Sequence, residues 1–375
     1  MEILFFISMG VVAWTYIGYV GVITLWGTLL PRKVERRYQN LSVSVVVAAR
    51  DEEINIRARL DNLREQDYPA ELIEIIVVSD GSTDRTAEIA SEFGDDNVRV
   101  VALDAPVGKA AALNRGVAVA KGEIVVFADA RQRFDLNVIA ELTAMFYEDS
   151  VGAVSGELMI EPGVDSEVNE GVGMYWRYEK LIRRMESAVD SVVGATGSIY
   201  AIRRSLFRPV EENALLDDVL VPMRIVLDGY RVLFERRARA YDITSATAGQ
   251  EFRRKVRTLA GNFQALAMEP RLLNPRRNRL FFQLVSHKLA RLVVPYFFVL
   301  ALISSAFSDG LFYTVVFWCQ LASLATGLLH HTPLRNSLLG KVARMSWMFS
   351  VLNAAAVTAL WVFLTGRERT VWKKA

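Results

Sequence analysis

Four stretches of the chain carry no charged side chain. Residues 3–31, 292–308, 310–334 and 345–366 contain no Asp, Glu, Lys or Arg. A helix needs about 20 apolar residues to cross the hydrocarbon core of a bilayer, within a range of roughly 17 to 25. The pattern therefore predicts an N-terminal transmembrane anchor at residues 1–31 and about three C-terminal transmembrane helices within residues 292–366.

Residues 32–278 follow a different pattern, in which short apolar runs alternate with segments of helical periodicity. The runs at 41–49, 72–80, 97–103 and 123–129 are rich in Val and Ile and nearly uninterrupted, as in buried parallel strands. Helices are predicted to begin after Ser82 or Thr83 and after Asp135. This alternation predicts an α/β domain with a doubly wound sheet.

The pattern continues less regularly beyond residue 150. Strands are predicted at 151–160 and 196–204, and helices at 168–187 and 217–230. Residues 279–291 place apolar side chains at helical spacing with basic ones opposite, which predicts an amphipathic helix in the membrane interface. A basic tail follows at 367–375.

Basic residues crowd the positions beside the apolar stretches, as in PRKVERR (31–37) and PRRNRLFFQLVSHKLAR (275–291). The positive-inside rule then places residues 32–278 in the cytoplasm and the N-terminus outside. The first stretch lacks a preceding Lys or Arg and a small-residue cleavage site, which favours a retained anchor over a signal peptide. Three further crossings would put the basic tail outside, so either one C-terminal segment does not cross or the tail breaks the rule.

Composition narrows the possible partners. Apolar residues make up 52% of the chain and the formal net charge is only +2. The Lys and Arg residues cluster beside the apolar stretches, which favours anionic membrane lipids over nucleic acid as partners. The single cysteine, Cys319, excludes an intrachain disulfide. The three histidines have no Cys or carboxylate at ligand spacing, so no zinc site is predicted.

Acidic side chains follow three of the predicted strands, at Asp51, Asp80 and Asp129. Because ligands bind beyond the carboxyl ends of strands in such sheets, these acids predict one polar crevice. An ordinary turn after the strand would explain Asp80 equally well. Lys109 opens a helix next to a glycine and could hold a phosphate oxygen, although a solvated surface lysine is the simpler explanation.

The segment FADARQ raises the question of a metal. Asp129 ends an apolar run, and a second acid two residues later would complete a metal-binding pair, but Arg131 stands there. Farther on, Asp217 and Asp218 open a helix, where acids are favoured by the helix dipole whatever the function. One of the two could also take a proton from an attacking hydroxyl.

The order of these features resembles the membrane-bound family 2 glycosyltransferases, which include cellulose, hyaluronan and poly-N-acetylglucosamine synthases. The features are the acid after the first strand, SDGSTD, the GK helix, the strand ending in Asp, GSIYAIRR, the acidic pair and an Arg-rich helix before membrane helices. The resemblance implies a GT-A-like nucleotide-sugar domain. It also implies use of Mg²⁺ or Mn²⁺, with Asp129 as the metal-binding acid.

The resemblance assigns roles to individual residues. Contacts to the nucleotide sugar fall to Asp51, Glu52, Asp80, Lys109, Asp129, Arg131 and Arg257. Asp218 matches the catalytic base. Gly197, Ser198 and Asp217 lie on the acceptor side.

Two departures from the family pattern stand out. Arg131 replaces the second metal-binding acid, so the site either holds its metal through fewer protein ligands or uses arginine charge instead. The QxxRW element of the family aligns best as RKVRT, which gives Arg257 and Thr258. An alternative alignment on QEFRR would assign Gln250 and Arg253. In both alignments the Trp that underlies the acceptor sugar is missing.

The resulting hypothesis is an inverting, multi-pass glycosyltransferase of the inner or plasma membrane with a cytoplasmic catalytic domain. It would move a sugar from a nucleotide-diphosphate sugar to a saccharide acceptor during exopolysaccharide or cell-envelope glycan synthesis, with a possible export partner. One alternative is the transfer of a single sugar to a lipid acceptor. Another is a catalytically silent membrane protein that binds a nucleotide sugar.

Overall fold

The computed structural model describes residues 1–94, 97–161, 169–243, 248–331 and 337–366. Eight strands form one sheet in the order β3-β2-β1-β4-β7-β6-β8-β5. The strands are β1 (Val43–Ala49), β2 (Ile73–Asp80), β3 (Val98–Leu103), β4 (Ile124–Asp129), β5 (Arg133–Phe134), β6 (Val151–Glu161), β7 (Ile199–Arg203) and β8 (Arg231–Ile243). The four strands predicted from uninterrupted apolar runs are β1 to β4.

The sheet is parallel in its first half and mixed in its second. Strand β1 pairs in parallel with β2 and β4, and β2 pairs in parallel with β3. Strand β7 runs antiparallel to both β4 and β6, whereas β6 and β8 are parallel. The predicted α/β class is confirmed, and the predicted doubly wound parallel layer describes only β1 to β4. Apolar runs reveal strands but not their directions.

Helices cover the sheet and extend beyond it. They are α1 (Glu2–Leu29), α2 (Ile56–Arg64), α3 (Thr86–Glu92), α4 (Lys109–Val119), α5 (Val138–Thr143), α6 (Asn169–Val189), α7 (Asp217–Leu227), α8 (Ala248–Met268), α9 (Phe281–Ala306), α10 (Leu311–Gly327) and α11 (Leu338–Leu364).

The sheet buries a hydrophobic core on each face. Val46 of β1 packs in one core with Ile76 and Phe127, while Val45 and Val47 pack in the other. This division follows from the strand geometry, in which successive side chains point to opposite faces. Burial on both faces explains why β1 reads as a continuous apolar run.

Three of the described helices are long and apolar enough to cross a membrane: Glu2–Leu29, Phe281–Ala306 and Val342–Leu364, with 28, 26 and 23 residues. The predicted segment 310–334 contains the shorter apolar helix α10, of 17 residues. Helix α1 packs against α9 and α6, and α11 packs against α8. The apolar helices are thus joined to the α/β domain by helix packing.

Residues 281–291 do not form a separate helix. They belong to α9, which runs through a π-helical segment at Leu284–Leu289 and continues to Ala306. The placement of this segment in a membrane interface stays a prediction. The basic tail at 367–375 lies outside the described residues.

Candidate active site

The ends of β1 and β2 meet, as the sequence predicts. Asp51 adopts a φ of 52°, and its Oδ1 accepts a hydrogen bond of 2.8 Å from the backbone N–H of Thr83. The backbone N–H of Glu52 donates to Thr86 Oγ1 at 2.7 Å. These bonds fix the loop after β1 against the turn that opens α3.

Asp80 holds the loop that leads to Lys109. Its Oδ1 accepts a bond of 2.7 Å from the N–H of Val107, and its Oδ2 accepts one of 3.0 Å from the N–H of Gly108. A Cβ at Gly81, where φ is 58°, would lie 2.3 Å from the nitrogen of Pro106, so the tight turn requires glycine. The predicted contact of Asp80 with a nucleotide stays a prediction.

Lys109 connects the end of β4 to the loop before β7. Its ammonium lies 2.6 Å from Asp129 Oδ1 and donates to the carbonyl oxygen of Gly197 at 3.4 Å. Burial alone would lower the pKa of Lys109, but the carboxylates of Asp129 and Asp217 raise it. The lysine is therefore a cation held by a carboxylate, with a side chain only 22% exposed, and not a solvated surface residue.

Asp217 and Asp218 lie in the first turn of α7. Tyr200 donates its hydroxyl hydrogen to Asp217 Oδ2 at 3.3 Å, and burial raises the pKa of Asp217 to about 6. Burial also raises the pKa of Asp218. A carboxylate that is easier to protonate than usual is suited to accept a proton from an attacking hydroxyl.

The loop before β7 lies directly on Asp218. A Cβ built on Gly197 would approach Asp218 Oδ2 to 2.8 Å, so only glycine leaves this carboxylate in place. Ser198 is buried, and its hydroxyl has no hydrogen-bond partner among the described residues. The structure thus places Gly197 beside Asp218. The acceptor-side role of Gly197, Ser198 and Asp217 stays a prediction.

Arg131 points toward β8. Its Nε and Nη2 donate to the two carboxylate oxygens of Asp242 at 3.0 and 2.7 Å, and Gln132 Nε2 donates to the same carboxylate at 3.1 Å. Sequence reasoning missed Asp242 because it lies 111 residues away from Arg131 in the chain. The only signal in the sequence was that an acid, Asp242, stands next to the last residue of β8.

Arg257 lies on α8, one turn before Gly261. A Cβ at Gly261 would come within 2.6 Å of Leu216, the residue before Asp217, so α8 packs against the start of α7. Thr258 donates its hydroxyl to the carbonyl oxygen of Arg254 at 3.0 Å. Contact of Arg257 with a diphosphate stays a prediction.

The side chains near Asp129 can hold a divalent cation only together with oxygen atoms of a bound molecule. Within the ranges that the structure describes, no cluster of three or more His, Cys, Asp or Glu side chains could hold a metal ion. Asp129 offers one carboxylate, and Mg²⁺ typically binds through one or two carboxylates together with substrate phosphates and water. The residues therefore fit a cation that enters with a nucleotide diphosphate.

A second polar cluster joins the apolar helices to the α/β domain. His287 of α9 lies between two carboxylates of α6, with Nδ1 2.8 Å from Glu186 Oε1 and Nε2 3.1 Å from Glu179 Oε1. Tyr19 of α1 donates to Glu186 at 2.6 Å. From α6, Arg183 donates to Thr196 at 2.9 Å, beside the loop that contacts Asp218.

This cluster could not be found from the spacing of residues along the chain. No carboxylate stands at ligand spacing from His287 in the chain, yet the fold brings Glu179 and Glu186 to its two ring nitrogens. Burial would raise the pKa of Glu179, but His287 and Arg291 hold it well below its usual range. The cluster is an ion-pair network between helices.

Comparison with known proteins gives a domain family and two groups of relatives. The model of "Glycosyl transferase family 2" matches residues 44–210. The chain is 25% identical over 260 residues to a beta-monoglucosyldiacylglycerol synthase of Nostoc sp., which covers 64% of this chain and 56% of that protein. It is 26% identical over 229 residues to a poly-beta-1,6-N-acetyl-D-glucosamine synthase of Staphylococcus epidermidis, with 60% and 55% covered. The matches therefore span little more than half the length of these curated relatives.

The fold is also that of a solved structure. The mannosyltransferase PcManGT from Pyrobaculum calidifontis, in complex with GDP-Man and Mn²⁺, superposes with a TM-score of 0.73 at 21% sequence identity. The match covers 96% of this chain and 99% of that one. The mixed α/β fold is accordingly GT-A-like.

Proposed function

Because the chain carries a glycosyl transferase family 2 domain over residues 44–210, we propose that it is an inverting glycosyltransferase. It would move a sugar from a nucleotide-diphosphate sugar to a hydroxyl group of an acceptor. The observation that carries this proposal is the position of Lys109, which contacts Asp129 at 2.6 Å and the carbonyl of Gly197 at 3.4 Å. Gly197 in turn abuts Asp218, so donor acid and candidate base belong to one cluster.

The proposed reaction is a single displacement. Asp218 accepts the proton of the acceptor hydroxyl while the oxygen of that hydroxyl attacks the anomeric carbon of the donor sugar. The bond from that carbon to the diphosphate oxygen breaks on the opposite face, and the nucleoside diphosphate leaves with the electron pair. Lys109, Arg131 and Arg257 are the cations proposed to offset its charge. A divalent cation held by Asp129 would add further positive charge at the diphosphate.

We further propose that the reaction takes place at the cytoplasmic face of the inner or plasma membrane. Helices α1, α9 and α11 have the length and composition to span a bilayer. The basic residues after α1 and before α9 suit the cytoplasmic side. In this arrangement the catalytic domain and its crevice face the nucleotide-sugar pool of the cytoplasm.

A saccharide of a cell-envelope glycan is the acceptor that we propose first, by analogy with the poly-beta-1,6-N-acetyl-D-glucosamine synthase relative. A lipid acceptor that receives one sugar is the second candidate. It is favoured by Thr258, which replaces the aromatic platform expected beneath an acceptor sugar, and by the beta-monoglucosyldiacylglycerol synthase relative.

The test is a screen of nucleotide sugars for release of nucleoside diphosphate by the purified chain in lipid nanodiscs, with and without Mg²⁺ or Mn²⁺. Release that depends on one nucleotide sugar and on Asp218 would support the proposal. A protein that binds a nucleotide sugar but never releases its diphosphate would instead be catalytically silent. Radiolabelled donor then separates the acceptors, since a polymer and a singly glycosylated lipid differ in size.

A further inference from the structure

The ion pair between Arg131 and Asp242 ties the donor side of the crevice to β8. Arg131 follows β4, whereas Asp242 precedes the last residue of β8. The two segments are brought together by β5, in which Arg133 pairs with Tyr241 and Phe134 with Ala240. Two nitrogen atoms of the guanidinium donate to the two carboxylate oxygens, at distances of 3.0 and 2.7 Å. This bidentate arrangement is stronger and more directional than a single contact.

The two partners differ in exposure. The side chain of Asp242 is 5% exposed and that of Arg131 is 58% exposed. Exposed ion pairs generally contribute little to stability, but a buried carboxylate must keep its partners because its desolvation is costly. Gln132 adds a third hydrogen bond to Asp242 at 3.1 Å. Asp242 therefore acts as a buried anchor for a cation whose other edge faces the solvent.

A buried arginine also fixes the loop that carries Arg131. The buried Arg59 donates from Nη1 to the carbonyl oxygen of Gln132 at 2.9 Å and stacks 3.8 Å from the ring centroid of Phe134. The backbone after Asp129 is thus fixed on one side by Arg59 and on the other by Asp242. A loop fixed in this way can hold a side chain in position before any ligand arrives.

Arg131 keeps N–H groups that Asp242 does not use. A guanidinium carries five N–H groups, and Asp242 uses one on Nε and one on Nη2. The others make no hydrogen bond within the part of the chain that the structure describes. Arg131 stands two residues after Asp129, which ends β4 and is itself predicted to contact the donor.

We propose that Asp242 is a positioning residue for the donor diphosphate, which holds Arg131 so that its remaining N–H groups meet the diphosphate oxygens. The inference rests on the proposed function. In this arrangement Arg131 does not merely replace a lost metal ligand, since its position is set by a carboxylate on another strand. Asp242 contributes to donor binding without touching the donor.

Binding measurements on the full chain in nanodiscs test this role. The probes are UDP and GDP, each compared with its nucleoside, uridine or guanosine, by isothermal titration calorimetry. Asp242→Asn and Arg131→Ala should each weaken diphosphate binding by about ten-fold or more, equivalent to about 1.4 kcal/mol. Nucleoside binding should not change, because only the diphosphate meets Arg131. A purely structural role of Asp242 would weaken both probes alike.

Two further variants sharpen the test. The double variant Asp242→Asn/Arg131→Ala should bind the diphosphate no more weakly than Arg131→Ala alone, because both substitutions remove one interaction. Arg131→Lys retains the charge but cannot form the two-pronged contact, so it should also lose about ten-fold in affinity. Asp228→Asn is the matched control, since Asp228 forms an ion pair with Arg208 at 2.9 Å.

The outcomes separate this inference from the function beneath it. If the natural chain binds UDP or GDP and Asp242→Asn binds it equally well, the role of Asp242 is overturned while the proposed function stands. Independent, additive effects of the two substitutions would also overturn it. If Asp242→Asn does not fold, Arg131→Lys still tests the inference, because the side chain of Arg131 is exposed and its replacement should not prevent folding. Failure of the natural chain to bind any nucleoside diphosphate would overturn the proposed function and the inference together.

Discussion

The ammonium group of Lys109 lies 2.6 Å from the carboxylate of Asp129, the acid that the sequence assigns to a divalent cation. A metal ion and an ammonium compete for the same oxygen atoms, and their charges repel each other. Metal binding at Asp129 should therefore require Lys109 to move, and the oxygens of an arriving diphosphate offer it a new partner. The relation predicts that metal and nucleotide bind with positive coupling.

Titration of Mn²⁺ followed by electron paramagnetic resonance checks this prediction. The natural chain should bind Mn²⁺ at least about ten-fold more tightly with UDP or GDP than without. Lys109→Met should bind Mn²⁺ more tightly without nucleotide and lose most of the coupling. The exposed Lys121 provides the control, Lys121→Met. Equal Mn²⁺ affinity with and without nucleotide in the natural chain would contradict the predicted competition.

Asp218→Asn should abolish sugar transfer while nucleotide binding persists. An amide cannot accept the proton of the acceptor hydroxyl, and loss of a general base typically slows turnover by about a hundred-fold or more. The side chain keeps its size, so the crevice should stay intact. Diphosphate release measures turnover, and calorimetry with UDP or GDP measures binding. Normal turnover of this variant would remove Asp218 from its role.

Gly197→Ala should impair turnover by displacing Asp218. The added Cβ would meet Asp218 Oδ2 at 2.8 Å, and the carboxylate, as the movable end of a side chain, would yield. The fold should tolerate this shift, so the thermal unfolding midpoint should change little while diphosphate release falls by about ten-fold or more. Gly249→Ala is the control, because its nearest contact would be Arg253 at 3.9 Å. Unchanged turnover of Gly197→Ala would mean that the position of Asp218 does not limit the reaction.

The sequence predicts the donor half of the site better than the rest. Strands β1, β2 and β4 are nearly continuous runs of Val, Ile and Ala, so their ends, and the acids that follow them, can be located without a structure. The convergence of Asp51, Asp80 and Asp129 follows from the parallel order of these strands. The positions of these acids were predictable because they lie close to the ends of well-marked strands.

Contacts between distant segments could not be read in the same way. Strand β8 carries six charged residues along RVLFERRARAYDI and has no long apolar run. Asp242, on β8, is 111 residues from its partner Arg131. The two carboxylates that contact His287 are 101 and 108 residues away from it. Such pairs depend on tertiary packing, on which local periodicity carries no information.

Asp217 should make the protein less stable as the pH rises. Its pKa is raised from 3.8 to about 6, so the folded state binds a proton more tightly than the unfolded state. The stabilisation is complete below pH 3.8 and is lost as the pH rises to about 6. Asp217→Asn mimics the protonated group and should unfold a few degrees higher than the natural chain at pH 7.5.

Thermal unfolding at pH 7.5 and pH 4 measures this effect in nanodiscs. Near pH 4 the advantage of Asp217→Asn should largely disappear, since the natural carboxyl is then mostly protonated in the folded state. Asp228→Asn, which removes the carboxylate that follows the opposite end of the same helix, controls for a general effect of removing an acid. An equal advantage at both pH values would show that the gain does not come from the protonation of Asp217.

His287→Ala should loosen the attachment of the apolar helices to the catalytic domain. The substitution leaves the buried carboxylates of Glu179 and Glu186 without the imidazole between them, and leaving a buried hydrogen-bonding group without its partner costs about 1–3 kcal/mol. The thermal unfolding midpoint in nanodiscs should fall. The midpoint of His287→Gln should fall less, because the glutamine amide can still reach one of the two carboxylates. Val299→Ala on the same helix is the control, because Val299 is 51% exposed. Equal midpoints for His287→Ala and the natural chain would mean that the network does not hold the helices in place.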